Sequence, residues 1–153
     1  MTAELTSRYL NCNQSLLKNI PQGLNRVFEF GCSGGMLGKS YKEENPDCVW
    51  HGVDIFKPAI EHAKDNLDGA WVKDANHFVA NKTMQKEPYD ALIYGDVVEH
   101  LVAPEVSLQD HLPLLKTGGQ VIVCIPNVQY WNMMKHVLSG NWNYGPSLSL
   151  IHI

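Results

Sequence analysis

The sequence lacks a long apolar segment and an excess of positive charge. Its longest apolar runs, such as VIVCI at residues 121–125, are far shorter than the roughly 20 residues of a membrane-spanning helix, so we expect no membrane span. A net charge of −4 and a pI near 5.9 argue against broad binding to nucleic acid or to anionic membranes. There is no internal repeat or low-complexity segment, and 153 residues with 44% hydrophobic content predict one globular domain.

The sequence also lacks a CxxC pair, although it contains four cysteines. Cys12, Cys32, Cys48 and Cys124 are widely spaced, and no signal peptide is recognisable before them. We therefore expect reduced thiols in a cytoplasmic protein rather than a disulfide framework.

Apolar strand patterns alternate with helical patterns from residue 26 onward. Strands are predicted at residues 26–30, 49–54, 70–73, 90–95 and 118–126. Helices are predicted at residues 34–44, after Pro58, between 104 and 115 with a break at Pro113, and at 130–138. This alternation is typical of an α/β fold, a Rossmann-like doubly wound parallel sheet of about five strands with helices on both faces. Residues 1–25 are predicted to be an N-terminal helical lead-in.

Ligands of such sheets bind at the carboxyl ends of the strands, and a glycine cluster follows the first strand. A dinucleotide motif G-x-G-x-x-G fails here, because two of its three glycines are absent. A P-loop remains an alternative, since Ser33 occupies its first glycine position and Gly38-Lys39-Ser40 follow at the right spacing. A P-loop gives no role to the acids Glu29 and Asp54, however, and a tight turn without a ligand is a further alternative.

Both acids fit a third interpretation. Glu29-x-Gly31-x-Ser33-x-Gly35 resembles the first motif of class I S-adenosylmethionine-dependent methyltransferases, acid-x-Gly-x-Gly-x-Gly, with a serine at the middle glycine. Asp54 ends the second strand, KDANHF follows the third, GDVVEHL follows the fourth, and LLKTGGQVIVCIPN is similar to the family's LKPGG turn and fifth strand. The resemblance covers roughly residues 9–144.

The resemblance implies S-adenosylmethionine as cofactor. It implies that Asp54 accepts hydrogen bonds from the ribose, that Asp74 and the Ala75 N–H contact the adenine, and that the turn after the fourth strand lies near the methionine part. The implied cofactor-binding residues are Glu29, Gly31, Cys32, Ser33, Gly34, Gly35, Asp54, Ile55, Asp74, Ala75, Gly95, Asp96 and Val97. Asp54 and Asp74 also suit plain turn or helix-cap roles.

His100 is the candidate general base, because its ordinary pKa lies near neutrality. Asp96, Glu99 and His100, at i, i+3 and i+4, would share one helical face, which predicts a divalent-cation site; some quinone-pathway and small-RNA methyltransferases use a similar set. The aromatic residues Tyr130, Trp131, Trp142 and Tyr144 are either a wall of the substrate pocket or plain core.

The chain end departs from the family pattern, which closes its sheet with an antiparallel hairpin. We therefore expect an incomplete domain at residues 26–147. Residues 148–153 (LSLIHI) are predicted to be a non-native tail, since one reverse translation matches a transposon end used in DNA library preparation.

The expected function is S-adenosylmethionine-dependent methyl transfer to a small-molecule acceptor on oxygen, as in enzymes related to quinone-pathway O-methyltransferases. The alternatives are a P-loop nucleotide hydrolase and a cofactor-binding domain without activity. The sequence leaves the acceptor and the oligomeric state open.

Overall fold

Five parallel strands form one sheet in the computed structural model, which describes residues 7–127 and 131–140. The strands are β1 (Arg26–Phe30), β2 (Val49–Asp54), β3 (Gly69–Val72), β4 (Tyr89–Gly95) and β5 (Leu115–Cys124). Their order in the sheet is β3-β2-β1-β4-β5. The chain runs outward from β1 and then returns to β4, so the switch in strand order lies between β1 and β4. Ligand sites are expected beside the carboxyl ends of these two strands.

Helices cover both faces of the sheet, which confirms the predicted Rossmann-like class. They are α1 (Gln14–Asn19), α2 (Met36–Glu44), α3 (Lys57–Ala63), α4 (Pro104–His111) and α5 (Trp131–Leu138). Short 3₁₀ turns stand at Ser7–Leu10, Ala75–His77, Val98–His100 and Leu112–Leu114. As expected, α4 ends before Pro113, which cannot continue a helix because its nitrogen carries no hydrogen.

The two faces of β1 belong to two different cores. Val27 packs with residues of α1, α2 and α3, whereas Phe28 and Phe30 pack with residues around α4 and the turn after β3. The interior strand β4 is buried on both faces, with Leu92 and Ile93 fully excluded from solvent. Burial of each such side chain contributes roughly 1.5–3 kcal/mol. A strand of this kind has no alternation of polar residues, which is why its sequence is a continuous apolar run.

Parts of the chain fall outside the described residues. These include Tyr130, Trp142, Tyr144 and the predicted tail at 148–153. The boundaries predicted for the lead-in, the domain and the tail remain predictions. Across residues 7–127 and 131–140, no helix combines the length and the apolar character that crossing a membrane requires.

Candidate functional site

The loop after β1 turns across the carboxyl end of β2. The N–H groups of Gly31 and Cys32 both donate to the Val53 carbonyl, with N···O distances of 2.8 and 3.0 Å. Gly31 has a φ of 71°, in the left-handed region that favours glycine. A Cβ at Gly31 would lie 2.3 Å from Cγ2 of Val97, which follows β4. The loop therefore contacts the end of β4 so closely that only glycine fits here.

Ser33, at the middle glycine position of the motif, also adopts a left-handed backbone, with a φ of 51°. This conformation costs a residue with a Cβ roughly 1–2 kcal/mol. The Ser33 hydroxyl donates to the Tyr9 carbonyl at 3.1 Å, and the Gly34 N–H donates to the same oxygen at 3.0 Å. The Tyr9 ring packs on Phe56, with ring centroids 4.5 Å apart. The segment before α1 thus covers the glycine loop.

Asp54 joins this loop to the end of β2. Its Oδ2 accepts from the Ser33 N–H at 2.9 Å, and its Oδ1 accepts from the Phe56 N–H at 2.8 Å. A carboxylate has about four acceptor positions, so each oxygen retains one for a further donor. Asp54 is partly exposed, and the neighbouring Ile55 is 70% exposed. A free acceptor pair beside an exposed apolar side chain suits a nucleoside, whose sugar donates hydrogen bonds and whose base has flat faces that pack on apolar side chains.

The turn after β3 is organised by Asp74. Its Oδ1 accepts from the Asn76 N–H at 2.8 Å, and its Oδ2 lies 3.2 Å from Nδ1 of His77. The hydrogen bond from the Asn76 N–H lowers the pKa of Asp74 below its ordinary value, which keeps this carboxylate ionised. The Ala75 N–H donates to no acceptor in the described part of the chain. Asp74 is therefore an observed cap, and the turn also presents a free donor.

The turn after β4 begins with Asp96, which like Ser33 is a non-glycine residue with a left-handed backbone, at a φ of 55°. Its N–H donates to the Cys124 carbonyl at 2.9 Å, so the ends of β4 and β5 are tied together. The side chains of Asp96 and His100 are exposed. The proposed role of His100 as a base is compatible with this exposure and stays a prediction.

The predicted divalent-cation site is not supported. Among residues 7–127 and 131–140, no group of three metal-ligating side chains is placed to hold an ion. The prediction assumed one α-helical face, but Val98–His100 is a 3₁₀ turn with three residues per turn, and Asp96 precedes it with a left-handed backbone. Asp96 and His100 face solvent, whereas both carboxylate oxygens of Glu99 are buried without a partner in the described residues.

A cavity of about 120 Å³ lies at the switch in strand order, where β1 and β4 end. It is lined by Asn11, Asn13, Leu16, Glu29, Gly31, Cys32, Met36, Leu37, Gly95 and Asp96. The structure therefore brings together five of the predicted site residues, from the ends of β1 and β4. Asp54, Asp74 and Ala75 do not line this cavity but follow β2 and β3 at the same edge of the sheet.

Glu29 is a buried acid in the wall of this cavity. The residue is 4% exposed, and burial raises the pKa of Glu29 to about 8. Its Oε2 accepts a hydrogen bond of 2.9 Å from the indole Nε1–H of Trp50, which opposes the shift in part. The carboxyl group is thus protonated at neutral pH in the free protein.

The lysine of the P-loop alternative lies outside the loop. Lys39 is exposed on α2, and its N–H donates to the Gly35 carbonyl at 3.0 Å as part of that helix. A Cβ at Gly38 would lie 2.6 Å from Cδ1 of Trp50, so this glycine allows α2 to pack closely on β2. Gly38 therefore serves helix packing and Lys39 faces solvent. These positions disfavour a phosphate site.

Motif reasoning missed the N-terminal contribution to the site. Tyr9 acts through its backbone carbonyl, which leaves no mark in a sequence. Asn13 has the signal of a helix cap, and its Oδ1 does accept from the Leu16 N–H at 3.0 Å. Nothing in the spacing of Asn11 and Asn13 shows that they return to the glycine loop, because that contact depends on how α1 packs on the sheet.

Comparisons with known proteins place the chain among methyltransferases. A family model described as a methyltransferase domain matches residues 28–121. The chain is similar to the ubiquinone biosynthesis O-methyltransferase of Maricaulis maris (strain MCS10), with 25% identity over 123 residues, which cover 78% of this chain and 48% of the relative. The enzyme of the same name from Shewanella sp. (strain ANA-3) is 23% identical over 122 residues, which cover 76% and 50%. The chain thus spans about half the length of these curated relatives.

Solved structures show the same fold. The plantazolicin methyltransferase BpumL in complex with SAH matches with a TM-score of 0.64 and 16% identity, over 95% of this chain and 53% of that one. Coclaurine N-methyltransferase bound to N-methylheliamine and SAH matches with a TM-score of 0.59 and 17% identity, over 71% and 34%.

Proposed function

This chain belongs to the methyltransferase-domain family, and on that premise we propose that it binds S-adenosylmethionine and transfers the methyl group to a small molecule. The observation that carries the proposal is the carboxylate of Asp54. It holds the glycine loop through the Ser33 and Phe56 N–H groups and retains acceptor positions at a partly exposed edge. Paired sugar hydroxyls are the donors that this arrangement suits.

The remaining residues fit the other parts of the cofactor. Asp74 and the free Ala75 N–H offer an acceptor and a donor for the adenine ring. The cavity beside Gly31 and Gly95 offers polar walls for the amino-acid end, and it includes the first residues of α2, where helix N–H groups lack partners within the helix. When bound, the cofactor supplies a methyl group on a sulfonium, and the protein supplies orientation. We propose residues 26–147 as the domain that does this.

Transfer to oxygen is the finer part of the proposal. The two curated relatives are named O-methyltransferases, which supports oxygen as the acceptor atom. An oxygen acceptor gains nucleophilicity when it loses its proton, and His100 is exposed in the turn after β4, where a base for that step would stand.

Calorimetry with S-adenosylhomocysteine and with ATP tests the proposal. We expect S-adenosylhomocysteine to bind and ATP not to bind. Asp54→Asn keeps the size of the side chain but removes its charge and half of its acceptor capacity, so it should weaken binding by about tenfold or more, as for the loss of charge-assisted hydrogen bonds. Lys39→Ala is the control and should bind S-adenosylhomocysteine as the wild type does. ATP binding that requires Lys39 would refute the proposal in favour of a P-loop.

A further inference from the structure

A buried histidine lies directly behind the turn that follows β3. His111 is the last residue of α4 and is 1% exposed. Its ring stacks on Phe30, with centroids 4.0 Å apart and an interplanar angle of 12°, and Phe78 packs edge-on at 5.2 Å. An apolar side chain would fill this space without the cost of burying two ring nitrogens. A histidine at this position therefore indicates that its ring nitrogens make hydrogen bonds that matter to the fold or the site.

Both ring nitrogens of His111 have partners. Nε2 lies 3.1 Å from the Ala75 carbonyl, which can only accept, so Nε2 carries the hydrogen. Nδ1 lies 2.9 Å from the hydroxyl of Tyr94. Burial lowers the pKa of His111, so the ring is neutral and Nδ1 must accept from the Tyr94 O–H. The Ala75 carbonyl thus sets the tautomer, and the fully buried Tyr94 holds the ring in place by donating to its other nitrogen.

The bond from His111 fixes one end of a peptide unit whose other end is held by Asp74. The carbonyl of Ala75 and the N–H of Asn76 belong to the same planar peptide group. His111 donates to that carbonyl, and Asp74 Oδ1 accepts from that N–H at 2.8 Å. The orientation of the peptide plane therefore sets where the Asp74 carboxylate points. The Asn76 side chain also accepts from the Val102 N–H at 2.8 Å, which ties the turn to the segment after β4.

We propose that His111, oriented by Tyr94, positions the Asp74–Ala75 turn for recognition of the adenine base and so contributes to selectivity for an adenine nucleoside. This inference rests on the proposed function. Both residues are positioning residues, since they lie behind the turn and act on the ligand only through it. A hydrogen-bonded network that is fully satisfied and buried is rigid, which is the property that discrimination between two bases needs.

The test compares two ligands that differ only at the base. S-adenosylhomocysteine carries an amine on the ring, which Asp74 can accept from, and S-inosylhomocysteine carries an oxygen there. The ratio of their dissociation constants is measured by calorimetry for the wild type, Tyr94→Phe, His111→Phe and His111→Gln. We expect the wild type to prefer S-adenosylhomocysteine. Tyr94→Phe and His111→Phe should reduce that preference roughly fivefold, the effect of one uncharged hydrogen bond. His111→Gln should restore much of it, because its amide N–H can donate to Ala75.

Tyr41→Phe is the matched control. Tyr41 is 1% exposed, and its hydroxyl donates to the Pro21 carbonyl at 2.7 Å in the other core. This variant should lose stability, as Tyr94→Phe should, while keeping the ratio of the wild type. A ratio that is unchanged in both Tyr94→Phe and His111→Phe would overturn the positioning role and leave cofactor binding in place. A wild type that binds neither ligand would overturn the proposed function, and this inference with it.

Discussion

Glu29→Gln should raise the free energy of unfolding of the free protein at neutral and alkaline pH. At acidic pH it should have little effect. Burial raises the pKa of Glu29 from 4.5 to about 8. Below pH 4.5 the carboxyl is protonated in the folded and the unfolded state, so it adds no pH dependence. Between pH 4.5 and 8 the unfolded chain releases this proton and the folded protein keeps it, so the free energy of unfolding falls as pH rises.

The size of this effect follows from the two pKa values. Each pH unit between them lowers the free energy of unfolding by about 1.36 kcal/mol. The loss therefore reaches about 3 kcal/mol by pH 7 and about 4 kcal/mol by pH 8. A glutamine at this position cannot ionise, and its amide oxygen can still accept from the Trp50 indole N–H. The variant should escape the loss and keep the contact.

Urea unfolding at pH values from 5 to 8, followed by tryptophan fluorescence, measures the effect. The difference between wild type and Glu29→Gln isolates Glu29, because all other titrating groups are common to both proteins. We expect that difference to grow by about 3 kcal/mol across this range. Glu61→Gln is the control, since Glu61 is an exposed residue paired with Lys64, and its difference from the wild type should stay flat. A difference between wild type and Glu29→Gln that does not change with pH would refute the reasoning.

Two further predictions concern stability, one its pH dependence and the other its dependence on the backbone of the glycine loop. Burial, with the charge of Arg26, lowers the pKa of His51 from 6.5 to about 4. The free energy of unfolding should therefore fall by about 3 kcal/mol as the pH drops from 6.5 to 4, because the folded protein resists protonation of His51. In His51→Asn, urea unfolding should show a smaller fall over this pH range, and an equal fall would contradict the prediction. In urea unfolding, Gly31→Ala should lower the free energy of unfolding by more than Gly23→Ala does. Both glycines have positive φ, but only a Cβ at Gly31 would clash, with Val97, whereas Gly23 faces open space. Equal losses would show that the close contact with Val97 does not contribute to stability.

Strands β1, β2 and β4 were predictable because they are buried on both faces. Residues 90–95 form a continuous apolar run after one acid, and β4 is found at Tyr89–Gly95. The start of β5 was not predictable. It begins at Leu115 rather than at 118, because the pairing with β4 shifts in register between Tyr89 and Ala91 and Gly118 has a φ of 77°. An irregularity of this kind depends on the neighbouring strand and not on the local pattern.

The parts of the site that the sequence missed share one physical feature, which is contact through the backbone or between distant residues. Tyr9 contributes a carbonyl, and His111 reaches the carbonyl of a residue 36 positions earlier. The predicted metal site is not supported among the described residues, because its spacing supposes an α-helix where a 3₁₀ turn stands. The motif positions Gly31 and Asp54, by contrast, follow strands that could be identified, and the geometry of parallel strands places them at one edge.

The glycine loop illustrates why spacing alone could not decide between a phosphate and a nucleoside. A phosphate cradle needs backbone N–H groups that are free to donate to the anion. From residue 31 to residue 35, every N–H donates to an acceptor within the protein: two to Val53, one to Asp54, one to Tyr9 and one to Cys32. The group that remains available beside the loop is a carboxylate, which repels phosphate and accepts from hydroxyl groups. The same glycines thus suit different ligands according to whether their N–H groups are already bonded, and here the bonded N–H groups and the acid at the end of β2 favour the proposed nucleoside over a phosphate.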